Sequence, residues 1–251
     1  MKLRSVDATR YVMPLREGGS LPGLVEASDD GLYVAKFRGA GQGTPALVAE
    51  VVAGELARAL GLRIPELVLL GIDPQLANAE PDEEIQELLA ASAGTNLGVD
   101  FLPGALPFNP AVGPSPDADL AADIVWFDAF VTNVDRTARN TNLLIWHKNL
   151  WLIDHGASLY FPYAASPTPG AERAPFPLIK DHVLLPVAGS IAKADTRLAP
   201  RVTPALIDAV LEAVPADWLD DGGVTRYRDY LTARIRAPRA FADETERARG
   251  R

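Results

Sequence analysis

A chain of 251 residues, 48% of them hydrophobic, is long enough to bury an ordinary core, as one large domain or as two lobes about a cleft. Its lack of cysteine excludes disulfides, iron–sulfur clusters, thiolate zinc sites and cysteine nucleophiles, so any metal must rest on oxygen or imidazole. A formal charge of −9 argues against a broad basic footprint for nucleic acid, yet permits a single nucleotide held by a few local groups and a divalent cation.

Residues 1–10 carry no apolar run behind their basic side chains, and no stretch reaches the ~18 apolar residues of a membrane span, which predicts a soluble, cytoplasmic protein with no membrane partner. Residues 11–15, 24–27 and 32–37 read as short strands of an antiparallel meander, separated by a Gly/Pro loop and by the hairpin signal Asp29, Asp30, Gly31. Thr44 is placed to N-cap a helix with Pro45 at its first position and Gly61 as its stop. A strand over 64–72 and a short acidic helix over 82–91 follow, then a Pro/Gly-rich connector over 98–116 between two differently patterned halves. This connector sets the lobe boundary, giving residues 1–103 and 104–251. The second half opens with a helix over 118–132, continues through a β-hairpin and a Pro-rich irregular stretch, and ends with helices over 204–214 and 224–236. Residues 243–251 are charged and expected to fray.

Chemistry concentrates in residues 133–146 and 150–156. Two apolar runs flank a turn at His147, Lys148 and Asn149, so a hairpin brings the start of its first strand beside the end of its second. With neighbouring strands ~4.8 Å apart, Asn140 or Asn142 should lie close to Asp154. A carboxylate and an amide oxygen converging there suit Mg²⁺, which completes its octahedron with phosphates and water. Asp135, on the loop leading into the hairpin, is placed to take a proton from an attacking hydroxyl. The competing reading makes these residues turn formers only. Their order, the hairpin between them and the fourteen-residue interval from Asn140 to Asp154 favour a metal–nucleotide site.

Lys36 ends the run Leu32, Tyr33, Val34, Ala35, which predicts an ammonium at the edge of a buried strand, either facing a cleft within reach of phosphates or snorkelling from the strand end. Glu50 has Ala46, Leu47, Ala53 and Gly54 at helical spacing, so it is expected on an inward face, where a buried carboxylate needs a partner. Glu55, with Arg58 three residues on, reads as a surface pair. Gly18, Gly19 and Ser20 stand between the first two strands, where a plain loop is the competing reading to a phosphate cover.

The residues Val34-Ala35-Lys36, Glu50 with Gly61-Leu62 beyond it, Asp135-Arg136 with Asn140, and Ile153-Asp154-His155-Gly156 together resemble the HipA-like kinase domain family. More distantly they are similar to protein kinases and phosphoinositide 3-kinase-like lipid kinases, whose catalytic loop also steps five residues from base to metal-binding Asn. The resemblance implies an α+β, two-lobed protein-kinase-like fold, with a small antiparallel-sheet N-lobe containing one helix and a larger, mostly helical C-lobe carrying a catalytic β-hairpin. It implies a phosphotransferase using ATP and Mg²⁺. Lys36 would contact the phosphates, Glu50 would orient Lys36, and Gly18, Gly19 and Ser20 would cover the phosphates. Asp135 would be the base, and Asn140 and Asp154 the Mg²⁺ ligands. The connector 98–104, with Gly98, Asp100 and Leu102, would be the hinge against which adenine packs. A Ser/Thr protein acceptor is the leading expectation; a small-molecule hydroxyl, or a nucleotide-binding pseudokinase acting through a small protein partner, are the alternatives. The chain departs from the pattern in being shorter than full-length HipA toxins, in having His155 where protein kinases have Phe, and in lacking a recognisable activation loop.

His147, His155 and His182 have no zinc-site spacing. His147 is expected to be solvated in its turn and His155 to pack beside the metal loop. His182 sits in an apolar stretch, 176–187, as a structural or a functional histidine.

Overall fold

The computed structural model describes residues 1–15, 21–112, 115–159 and 170–250. β1 (Arg4–Pro14), β2 (Gly23–Ala27) and β3 (Leu32–Lys36) form the expected antiparallel meander, although β1 begins well before residue 11. The sheet then goes further than the sequence suggests. β3 pairs with β5 (Gly94–Asp100), β5 with β4 (Leu67–Ile72), and β4 returns to β1 in parallel register, closing a small barrel.

β5 corrects the expectation that the connector starts at residue 98. Gly98 lies within the strand, opposite Ala35 and Val68, and a Cβ there would come within 2.7 Å of the Val68 side chain. Glycine lets the barrel close, and it also masks the strand from a reading based on β-branched residues. Val6, Val25, Tyr33, Ala35, Phe37, Val68 and Leu70 fill the interior, joined by Ile85 and Leu89 of α2 (Glu83–Ala91). The period-two alternation of β3 leaves Val34 and Lys36 on the other face.

α1 (Gly43–Ala59) stops at Gly61, whose φ of +93 suits a helix-ending glycine, but it does not start as expected. Gln42 precedes it with no side-chain cap, and Thr44 is already inside the helix. From Ala46 to Ala57 every side chain is buried, because α1 is enclosed between the barrel and the second half of the chain. A helix covered all round has no surface face. Glu55 is therefore only 6% exposed, and its 3.1 Å pair with Arg58 lies at the edge of the core instead of on the surface.

In the second half, α3 (Ala118–Phe130) is capped by the Asp117 carboxylate, which accepts the N–H groups of Asp119 and Leu120 at 3.0 Å. Around it stand α4 (Ile191–Leu198), α5 (Pro204–Leu211), α6 (Gly223–Ile235) and α7 (Ala240–Arg249). α4 falls in the stretch read as irregular. α7 overturns the frayed tail: Phe241 is buried, with its ring 5.6 Å from Trp126 and 5.8 Å from Phe130, and Thr245 is buried one turn later. The hairpin of β7 (Leu143–Trp146) and β8 (Asn149–Leu152) has β6 (Leu106–Pro107) at its edge. Its turn is His147 and Lys148 alone, both at positive φ as a two-residue hairpin turn requires, while Asn149 pairs with Trp146.

A continuous apolar core runs from α1 and the outer face of β5 to α3, α6 and α7. The halves are also tied by Leu152 N–H to Arg63 O at 2.9 Å, by Arg201 to the carbonyls of Ala59 and Leu60, and by the Trp218 indole to Thr95 O at 3.1 Å. Among the described residues no helix is long and apolar enough to cross a membrane.

Candidate active site

Three elements meet at one ion cluster. Lys36, from the end of β3, donates to Glu50 Oε1 on α1 and to Asp154 Oδ1 at 2.8 Å, just beyond β8. Glu50 also accepts the backbone N–H groups of His155 at 2.9 Å and Gly156 at 3.0 Å. The glutamate thus holds both the strand lysine and the loop after the hairpin. Burial works against the charge on Lys36, but Glu50 and Asp154 outweigh it and hold the ammonium above its ordinary value. Burial likewise opposes charge on Asp154, and Lys36 outweighs it, leaving that carboxyl below the usual range. Burial pushes Glu50 upward, against Lys36 and the His155 N–H. The Asp154 side chain is 43% exposed, and the residue sits at φ +55, a left-handed conformation uncommon outside glycine, asparagine and aspartate. Its carboxylate lines a small cleft together with Lys36, Gln42, Ala46, Glu50 and Gly156.

A second cluster surrounds Asp135. Asn133 Oδ1 accepts the Asp135 N–H at 3.0 Å, Asn140 Nδ2 donates to Asp135 Oδ2 at 2.9 Å, and Asn142 Nδ2 donates to Asp135 O at 2.9 Å and to Oδ2 at 3.3 Å. The hairpin brings the Asn142 backbone to Ile153, whose N–H it accepts at 3.1 Å, one residue before Asp154. The amides of Asn140 and Asn142, however, are turned toward Asp135.

Beneath both clusters lies a fully buried guanidinium. Arg136 donates to Asp128 Oδ2 at 2.5 Å, to Asn142 O and to Ile153 O at 3.3 Å, so it ties the start of β7 to the end of β8. Burial disfavours the Asp128 carboxylate, but Arg136 and the His182 hydrogen bond outweigh that and hold it below the ordinary range. Leu184 N–H donates to His182 Nδ1 at 3.0 Å, so Nε2 carries the proton and donates to Asp128 Oδ2 at 2.9 Å. His182 is therefore structural, kept below its usual pKa by burial. His155 is buried with its ring edge-on to Phe127 and is pushed down to about 3 by burial and by the nearby Arg136 charge. His147 is exposed at its turn, against Trp146. Sequence reasoning misses Asp128 and Asn133; the available signal was one acidic residue in the otherwise apolar run 124–130.

The hinge residues are spread out. Gly98 and Asp100 lie on the opposite side of β5 from Leu97, which pairs with Lys36. Asp100 N–H donates to Glu66 O at 2.8 Å at the strand end, burial raises its carboxyl, and Leu102 is buried in the turn beyond. Gly18, Gly19 and Ser20 lie outside the described residues. Among the described residues there is no group of three or more His, Asp or Glu side chains able to enclose a metal. The one accessible carboxylate, Asp154, with the Asn140 and Asn142 amides turned toward Asp135, would leave most of a hard cation's shell to phosphate and water and does not fit zinc.

A family model described as HipA-like kinase matches residues 9–168. No curated protein matches the sequence. Among solved structures, the chain is similar to a Helicobacter pylori proinflammatory kinase, CtkA, with a TM-score of 0.56 and 12% identity over 98% of each chain. It is also similar to the Golgi casein kinase solved with Mn/ADP bound, with a TM-score of 0.51 and 12% identity over 98% of this chain and 73% of the other. At such identities the likeness is one of fold, and that fold is kinase-like.

Proposed function

We infer that this chain, which belongs to the HipA-like kinase family and is thus an ATP-dependent phosphotransferase, moves the γ-phosphoryl group of Mg-ATP to the hydroxyl of a protein Ser or Thr side chain. The observation that carries the reading is the bridge from Lys36 to both Glu50 and Asp154, which brings a cation suited to phosphate and a carboxylate suited to a metal to one cleft. In this reading residues 1–103 are the N-lobe, 104–251 the C-lobe and 98–104 a hinge that begins inside β5, with adenine against its backbone at Gly98, Asp100 and Leu102, and Gly18, Gly19 and Ser20 serve as the phosphate cover. Lys36 holds the phosphates, and Glu50 fixes its ammonium.

Asp154 and Asn140 would hold Mg²⁺, which when bound neutralises phosphate charge as the γ-phosphorus is transferred. That the Golgi casein kinase was solved with Mn/ADP supports nucleotide and divalent metal together. Asp135 takes the proton of the acceptor hydroxyl as its oxygen bonds to the γ-phosphorus. The bond from that phosphorus to the β–γ bridging oxygen breaks, and its electron pair leaves with ADP.

The test is incubation with γ-labelled ATP and Mg²⁺, alone and with cell lysate. Label on protein Ser or Thr supports the reading, label only on a small molecule replaces the acceptor class, and ATP bound without transfer to anything leaves a pseudokinase. Asp135→Asn should keep ATP affinity within a few-fold while lowering transfer by ~10² or more, since the amide preserves shape but accepts no proton.

A further inference from the structure

Two asparagines reach Asp135, and they are not equivalent. Asn140 is exposed and its side chain makes one hydrogen bond, to the carboxylate oxygen Oδ2 at 2.9 Å. Asn142 is 9% exposed and makes two, to the Asp135 carbonyl at 2.9 Å and to the same Oδ2 at 3.3 Å. Its backbone is fixed from both sides, since its carbonyl accepts from Ile153 N–H at 3.1 Å and from the buried Arg136 guanidinium. The residue sits at φ +48, a left-handed conformation that asparagine tolerates better than most side chains.

An amide bonded to both the carbonyl and the carboxylate of one residue fixes the side-chain torsion between them. With Oδ2 receiving the Asn142 N–H, and that of Asn140 for as long as its amide faces Asp135, the lone pairs that remain best placed to receive a proton are those of Oδ1.

We propose that Asn142 is the positioning residue for the base, locking Asp135 so that Oδ1 faces the acceptor hydroxyl. This rests on the reading of Asp135 as the base. Asn142 acts through Asp135 alone and touches neither nucleotide nor acceptor. Asn140, held by one solvent-exposed contact, is left able to turn toward a metal.

The positive φ supplies a clean test. Glycine adopts that conformation without steric cost, so Asn142→Gly deletes both amide contacts and leaves the backbone bonds to Ile153 and Arg136 in place. In the full chain, with water as the acceptor, Mg-ATP turnover to ADP is measured for wild type, Asn142→Gly, Asp135→Asn and the double variant. Asn142→Gly should lower kcat at least ~10-fold with KM for Mg-ATP unchanged within a factor of about two, and should add nothing in the Asp135→Asn background. A loss of similar size in both backgrounds would make Asn142 a merely structural residue and overturn the proposal. So would a rate equal to wild type while Asp135→Asn is impaired. Turnover that survives Asp135→Asn, or a wild type without turnover, would remove the base reading itself and the proposal with it. If Asn142→Gly proves unstable, Asn142→Asp replaces the amide donor by a carboxylate that repels Asp135, and the same comparison of backgrounds decides.

Discussion

At the scale of single residues, Glu50 joins the strand lysine to the loop after the hairpin. It is 3% exposed, holds Lys36, and accepts two backbone N–H groups from the loop carrying Asp154. Removing one member of a buried, hydrogen-bonded ion pair typically costs ~3–5 kcal/mol. Glu50→Ala is therefore expected to lower the urea midpoint strongly and to abolish phosphotransfer. Glu55→Ala should cost about 1 kcal/mol, the net worth of one hydrogen bond, and leave activity intact. Its partner Arg58 keeps the carbonyls of Ile64 at 2.9 Å and Pro65 at 2.7 Å. Comparable losses of activity in both variants would show that Glu50 does no more than fill the core.

His182 makes a different prediction, in pH. Burial lowers its folded pKa, and Nδ1 is already occupied as an acceptor from Leu184. The unfolded chain, with an ordinary histidine pKa of about 6.5, thus binds the proton more readily. The stabilising effect is complete above about pH 6.5 and is lost as pH falls through that value toward the lower folded one. Chemical unfolding between pH 7.5 and 5.5 should show stability decreasing, and His182→Asn, destabilised at pH 7.5, should have a shallower slope. Part of the slope will remain, because His155 is also buried neutral. An unchanged slope in the variant would mean that His182 does not titrate differently on folding.

At the scale of elements, α7 is the instructive one. Its charges make it read as a tail, yet Phe241, Ala242 and Thr245 are buried against the rest of the C-terminal half. Phe241 touches the rings of Trp126 and Phe130 on α3, the same helix that carries Asp128 beneath the Asp135 loop. Phe241→Ala should cost ~3–5 kcal/mol by cavity formation. Because α3 anchors Arg136 through Asp128, the variant should also lose activity at temperatures below its melting point. A melting temperature equal to that of wild type would return α7 to the frayed end that its composition suggests.

At the scale of the whole molecule, Lys36 and Glu50 come from one half and Asp154 from the other, so nucleotide bound there should stabilise both together. At ~100 times Kd a ligand adds ~2.7 kcal/mol, equivalent to about 5–10 °C for a chain of this size. Mg-ATP is expected to raise the melting temperature by that amount in a single transition, and ATP with chelator by much less. Asp154→Ala should remove the metal-dependent part. Two separate transitions, of which only one moves, would contradict the shared core.

What the sequence determined by itself was local: the β1–β3 meander, the hairpin and the place of its turn though not its two-residue length, the stop at Gly61, and the inward placement of Glu50 among small residues. Each depends on spacing within a few residues, where sterics and periodicity act alone. Tertiary structure decided the rest. The parallel return of β4 to β1, the strand at Gly98, the burial of Glu55 and the docking of α7 all depend on what another segment covers, and no local pattern records that. The same holds at the site. The order of Lys36, Glu50, Asp135, Asn140 and Asp154 is legible in the chain, but that Asn142 grips Asp135 while Arg136 and Asp128 cinch the hairpin beneath it is a matter of side chains meeting across distant elements, which only the folded packing can arrange.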